Sequence, residues 1–312
     1  MLTRKAVVDH AIAFKNPERV PVWVDGANIG LSDVLTYDLS LSDSSNPALS
    51  EWGFQRLRTQ DGSWKIPTAG TLTAWDQVDA FQLPSHDFER RFARIPAAAR
   101  VCGDRYRLAS FGLSGFAVYS ALRGANLCYD DCLRDFDRVQ EFFEKIIEFE
   151  TEMFDTLARK GFHGVEFCDD WGPRKTSRLT LSLWRVLFRG FYEEQIKRAK
   201  EVGLHVWFSV SSEGVEFFGD LKELGADVVR LESPERMEVS PLGRRYRNKL
   251  CFATRVDTIL EPRNPEASFE QLLSLRDCLG APTGGFVATI GDNVPQNQIR
   301  QIFDLVKKFQ NA

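Results

Sequence analysis

The sequence predicts an α/β chain of the (β/α)8 parallel-barrel class, and three observations lead there. Apolar, β-branched and aromatic runs recur from about residue 105 onward, each followed by a segment of helical period. Such near-continuous apolar strands belong to parallel sheets covered by helices. Finally, no G-x-G-x-x-G follows the first strand, which weighs against a nucleotide-binding open sheet, the alternative architecture.

Taken in order, Thr3 is a candidate N-cap for a helix through Phe14, and VPVWVD (20–25) reads as the first strand. Residues 26–100 are the least regular part. DLSLSDSSNP is loop, and WGFQRLRTQDGSWKI is a hairpin turned at Asp61-Gly62. This segment is expected to be a lid or hairpin decoration on a single domain spanning 1–312, not a second domain. RYRLASFGL is the next strand, followed by a long amphipathic helix over 130–159 that ends at Lys160-Gly161. GVEFCDD, HVWFSVS, VVRLES, CFATRVD and FVATIGD are further strands, separated by helices over 181–202, 215–224 and 269–279 and a basic stretch after residue 234. A last helix is expected over 296–309. That makes seven strands, and an irregular eighth would close a TIM barrel.

Composition narrows the function. The chain has 312 residues, 43% of them hydrophobic, with a formal charge of −4. A mildly acidic surface offers nothing to nucleic acid or an anionic membrane. The N-terminus lacks the apolar core of a signal peptide, and no apolar run reaches the ~18 residues of a membrane span. Six scattered cysteines suit a reducing compartment, so a cytoplasmic protein is expected. Cys128 and Cys132 could share a helical face, but without a second pair nearby they do not make a zinc site.

In a barrel the active site lies at the carboxyl ends of the strands. Those ends supply Asp25, Gly112, Asp169, Asp170, Ser209, Ser211, Glu232, Arg255, Asp257, Gly291 and Asp292. Polar residues mark any strand–loop junction, yet carboxylates from five strands repel one another unless a cation or a proton sits among them. Side chains alternate along a strand, so only one of Asp169 and Asp170 can face the mouth; that one is expected to act as acid while the other anchors a loop. Trp171 is expected beside the site. Tyr119 and Arg123 are placed equally well at the mouth or on a surface helix. Glu213 reads as the first-turn acid of a helix.

NPERVPVW (16–23), EWG (51–53), GVEFCDDWG (164–172), LTLSLWRVLFRGFYEEQIKRAKEVGLHV (179–206), LKELGADVVRLESP (221–234) and RVDT (255–258) stand in one order along the chain. With them the sequence resembles the uroporphyrinogen decarboxylase-like superfamily, which includes cobalamin-dependent methyltransferases. The resemblance implies a (β/α)8 barrel. In the family's thiol-methylating branch a His-x-Cys and a later Cys hold zinc. The matching positions here are Ser209, Ser211 and Phe286, so no metal ligand is expected; Cys168, Glu166 and Asp169 are the remaining substitutes. The decarboxylase branch carries an R-Q-A-G-R segment, where this chain has VPVWVDGANIG.

The resemblance therefore implies a component that moves a methyl group between a small methylated substrate and a corrinoid protein. Asp169 or Asp170 would be the acid, with Asp25, Trp171, Ser209, Ser211, Glu232, Arg255 and Asp257 binding substrate. The methyl-corrinoid would be carried by the partner protein, with no tightly bound cofactor in this chain. Two other readings are a metal-free decarboxylase using Arg174, Arg230 and Arg255 as a carboxylate clamp, and a non-catalytic binding homologue.

Overall fold

A computed structural model describes residues 2–25, 29–41, 46, 48–58, 64–66, 68–93, 95, 103–171, 179–210, 212–259, 264–280, 282–291, 294, 302 and 304–309. Eight parallel strands close a barrel: β1 (Val22–Val24), β2 (Val34–Asp38), β3 (Tyr106–Leu113), β4 (Gly164–Asp169), β5 (His205–Val210), β6 (Val228–Leu231), β7 (Cys251–Arg255) and β8 (Phe286–Ile290). Each strand pairs with its sequence neighbours. β1 closes the ring on β8 through the partners Val22–Ala288, Trp23–Thr289 and Val24–Ile290. The predicted (β/α)8 class is the observed one.

The seven strands read from the sequence are all present, and the eighth is VLTYD, β2, inside the segment read as irregular. A single 3-10 turn, Ile29–Leu31, joins it to β1, so the strand–helix rhythm that reveals the other strands is absent there. The hairpin strands Leu57–Arg58 and Trp64–Lys65 pair antiparallel; their Asp61-Gly62 turn lies outside the described residues. Within the 39–105 segment the buried Arg91 links the exit of β2 to the stretch around Glu51. Its guanidinium donates to Leu39 O at 2.8 Å and pairs with Glu51 at 2.7 Å.

Two helical expectations are corrected. The single helix over 130–159 is three: Ala125–Arg134, Phe136–Thr151 and Phe154–Arg159. Asp135, at φ −126° and ψ 49°, breaks the first from the second, and its carboxylate accepts from Trp75 Nε1 at 3.4 Å. The 181–202 helix divides into Leu181–Leu187 and Arg189–Glu201 at Phe188, whose buried ring packs 4.7 Å from that of Phe143. The basic stretch holds a helix, Val239–Tyr246. Of the last helix, residues 304–309 are helical and the rest lies mostly outside the described residues.

The barrel interior changes character from floor to mouth. Trp23, Tyr106, Leu108, Trp207, Val228 and Val287 share one inward cluster with Val8 and Ile12 of the helix Arg4–Ile12, which plugs the amino-terminal end. That helix begins at Thr3, whose Oγ1 accepts from Ala6 N–H at 3.2 Å. Each fully buried large apolar side chain contributes about 1.5–3 kcal/mol. Further along the same strands, the inward positions turn polar.

Candidate functional site at the barrel mouth

Alternation along β6 sends Val229 and Leu231 toward the helices and Arg230 into the barrel. There its guanidinium gathers three carboxylates: Asp25 at the end of β1 at 2.6 Å, Glu166 of β4 at 3.4 Å, and Glu232 at 2.6 Å. It also stacks 4.1 Å from the ring of Trp23. Burial opposes the guanidinium's charge, but Glu166, Asp25 and Glu232 outweigh it and hold the group above its usual value. Glu166 lies beneath, almost wholly buried. Burial pushes its carboxyl up to about 7, with Arg230 acting against the rise and Asp25 and Glu232 adding to it.

Beside this centre, Arg255 pairs with Asp257 at 3.0 Å and stands 3.8 Å from Glu232. Gly291 N–H donates to Asp257 Oδ1 at 3.1 Å. A methyl group at Gly291 would run into the Arg255 guanidinium, so any side chain here requires Arg255 to move. Ser209 Oγ donates to Glu232 Oε1 at 3.4 Å, and Ser110 Oγ lies 3.9 Å from Cys168 Sγ. Burial holds the Cys168 thiol well above the usual range, with Glu166 adding to the rise.

The structure thus brings Asp25, Ser209, Glu232, Arg255 and Asp257 together as the strand-end rule implies. Ser211, Asp292 and Arg174 lie outside the described residues, as does the side chain of Glu213. Asp169 faces the other way. It accepts from the N–H groups of Phe116 at 3.0 Å, Ala117 at 2.7 Å and Asp170 at 2.8 Å, and from the hydroxyl of Tyr192. It therefore anchors the first turn of the helix Gly115–Arg123 and is the member of the aspartate pair turned from the mouth. Asp170 sits half-buried just past the strand end.

Burial pushes Asp169 up to about 7 despite those donors. Glu150, which accepts from Gly115 N–H at 2.9 Å, is pushed up to about 8 by burial, with Asp169 adding to the rise. A side chain at Gly115, at φ 51°, would strike Asp169 and Tyr192. Trp171 belongs to this outer layer too. Its Nε1 donates to Tyr192 at 2.8 Å, and its ring packs between Trp184, Phe208 and Phe217.

Tyr119 and Arg123 are buried among helices, both engaged by Asp131. Phe286 is corrected as a counterpart of a zinc ligand: it opens β8, faces the helix layer, and packs 6.2 Å from Phe309. His205 lies at the floor, where Nδ1 meets Tyr106 OH at 3.0 Å. Among the described residues no group of three or more His, Cys, Asp or Glu side chains is set to hold a metal ion. No described helix is long and apolar enough to cross a membrane.

The sequence offers Arg230 only as a possible clamp and gives no sign of Ser110, Trp23 or Thr289 as site residues. The signal for Arg230 lies in DVVRLES, where the arginine shares an inward parity with Val228.

No protein-family model matches the chain, and no curated protein does. Among solved structures it is similar to a methyltransferase from Methanosarcina mazei, with a TM-score of 0.67 at 11% identity over 99% of both chains. A sialic acid synthetase from Leptospira borgpetersenii serovar Hardjo-bovis aligns over 56% of this chain and 59% of its own at TM-score 0.37 and 11% identity. A D-psicose 3-epimerase aligns over 69% and 72% at TM-score 0.37 and 15% identity. The last two likenesses carry no weight below, and at 11% identity the first is a likeness of fold. The chain shares the whole fold of the Methanosarcina methyltransferase.

Proposed function

We propose that the protein is a methyltransferase-type component of the uroporphyrinogen decarboxylase-like superfamily, moving a methyl group between a small methylated substrate and a corrinoid carried by a partner protein. The observation that carries this reading is a mouth furnished to bind and orient substrate with no activated nucleophile among its described residues. Burial keeps Cys168 a thiol, the Ser209 hydroxyl is spent on Glu232, and His163 and His205 lie at the floor. The end-to-end likeness to a methyltransferase supports the same reading.

When bound, the partner's corrinoid supplies the nucleophilic chemistry. This chain's residues hold and aim the substrate. Asp25, Glu232 and Asp257 present acceptors, Arg230 and Arg255 fix those carboxylates in place, Ser110 offers a hydroxyl, and Ser209, donating to Glu232, offers an acceptor oxygen. Glu166 exchanges its proton near neutral pH. Arg230 joins it to the rim, so it is better suited than Asp169 to supply a proton to an ether oxygen or amine nitrogen that departs. Such acid catalysis contributes about 10²–10⁴-fold.

The donor set does not fit zinc. Ser209 stands at one ligand position, Cys168 is the lone thiol of the described mouth, and Asp25, Glu166 and Glu232 are turned onto Arg230. A decarboxylase clamp would require Arg230 and Arg255 to exchange their own carboxylates for the substrate's, and nothing in the geometry favours that exchange.

The test is to incubate the protein with a reduced corrinoid protein and a panel of methyl ethers, amines and thioethers. The corrinoid's visible absorption is expected to convert to that of the methylated form with at least one donor. Silence across the panel counts against the proposal.

A further inference from the structure

We infer that the mouth selects a small methylated cation, an onium compound with its methyl on quaternary nitrogen or trivalent sulfur and an oxygen-bearing tail. The transfer step rests on the methyl-transfer reading above; the binding does not.

Charge is the first observation. Among the described residues the mouth holds the three carboxylates Asp25, Glu232 and Asp257, and beneath them the proton-exchanging Glu166, against two guanidiniums, Arg230 and Arg255. Arg230 is shared among three of these four acids and so neutralises none of them fully. In a half-buried site such a surplus attracts a cation strongly and rejects an anion. The face of Trp23 is already taken by Arg230, so the carboxylates, not an aromatic cage, are left to hold the onium head.

The second observation is independent of charge. Trp23 Nε1 and Thr289 Oγ1, on side chains only 1% exposed, have no hydrogen-bond partner among the described residues. Trp23 and Thr289 are register partners on the inward face, and Thr289 is in turn the partner of Arg255. Leaving a buried donor or hydroxyl unmet costs about 1–3 kcal/mol, so this level of the barrel is built for a polar occupant. An indole N–H requires an acceptor, which a ligand oxygen provides.

The transfer balances without a proton. The C–N or C–S bond breaks with its electron pair remaining on nitrogen or sulfur, whose positive charge is thereby lost. The methyl carbon bonds to the electron pair of the acceptor's nucleophile.

Titration calorimetry at constant ionic strength tests this on the full chain with choline chloride, its sulfonium analogue, the neutral isostere 3,3-dimethyl-1-butanol and sodium 3,3-dimethylbutyrate. Saturable binding of either onium at least about tenfold tighter than the neutral isostere is expected, with that advantage lost in Asp25→Asn and in Glu232→Gln. Circular dichroism confirms that both variants are folded, and the half-exposed Glu232 provides the milder substitution. Equal binding of the neutral compound, tighter binding of the anion, or onium binding untouched in both variants overturns the inference. If choline binds but no methyl reaches a reduced corrinoid protein, the methyl-transfer reading fails and the binding stands. If neutral ethers donate methyl groups while no onium binds, the reverse holds.

Discussion

Nη2 of Arg230 lies 2.6 Å from Oδ2 of Asp25, so a guanidinium from the sixth strand reaches across the mouth to the end of the first. Its other nitrogens meet Glu166 and Glu232. One buried cation thus holds together carboxylates from three strands, Asp25 and Glu232 at the ends of theirs and Glu166 within its own.

Replacing Arg230 with methionine should leave the buried Glu166 without its cation and loosen Asp25 and Glu232, at a cost of up to about 3–5 kcal/mol. Denaturant unfolding measures this loss. Arg230→Lys should recover only part of it, since a point charge on a flexible stem cannot fork toward three acceptors. Equal stability of the methionine variant and wild type would show that the network is not holding the mouth together.

Gly291→Ala should push the Arg255 guanidinium off Asp257 while leaving the strands intact. The melting temperature is expected to move by less than about 4 °C, within the range of a loss near 1 kcal/mol. Substrate turnover or ligand affinity should fall about tenfold or more, since small displacements of positioned groups are costly. Unchanged binding would remove Arg255 from the site.

Glu150 and Asp169 give the fold a pH dependence. Both carboxyls have folded values above their unfolded ones, at about 8 and about 7. Their stabilising contribution is therefore fully present below pH ~4, near the unfolded values, and is lost as pH rises through 7 and 8. Glu150→Gln removes one of these titrations. Its stability relative to wild type should rise between pH 5 and 9, by up to about 4 kcal/mol. Parallel pH–stability curves for the two proteins would contradict the assignment.

Cys168 should resist alkylation. At pH 7.5 iodoacetamide is expected to modify it at less than about a tenth of the rate of a free thiol, because burial suppresses the thiolate. Peptide mass spectrometry follows the reaction. Rapid modification would reopen the case for a protein nucleophile.

Much of this architecture is legible in the chain itself. GVEFCDD and HVWFSVS announce buried strands because both faces are covered, and the rule that barrel sites sit at strand ends locates Asp25, Ser209, Glu232, Arg255 and Asp257. β2 is not legible, because VLTYD lacks a flanking helix and is followed by a polar loop. Parity decides the aspartate pair, yet its phase depends on which of Phe167 and Cys168 points inward, and both are plausible core residues. The register with Trp207 and Ser209 settles it: Glu166 and Cys168 point in, and Asp169 points out to Tyr192. Arg230 shows the same limit. An arginine amid Val229 and Leu231 is buried only because Asp25 and Glu166 from distant strands, with Glu232 two residues on, meet it there.

The proposed role of this charged mouth is to receive a methylated substrate and yield its methyl group to a corrinoid protein. The rate of methyl transfer to a reduced corrinoid protein, compared between wild type and the Asp25→Asn/Glu232→Gln double variant, tests it. Transfer by wild type is expected, with a fall of about 100-fold in the folded double variant, roughly 2.7 kcal/mol of lost transition-state binding. A double variant that transfers methyl groups as fast as wild type would contradict it.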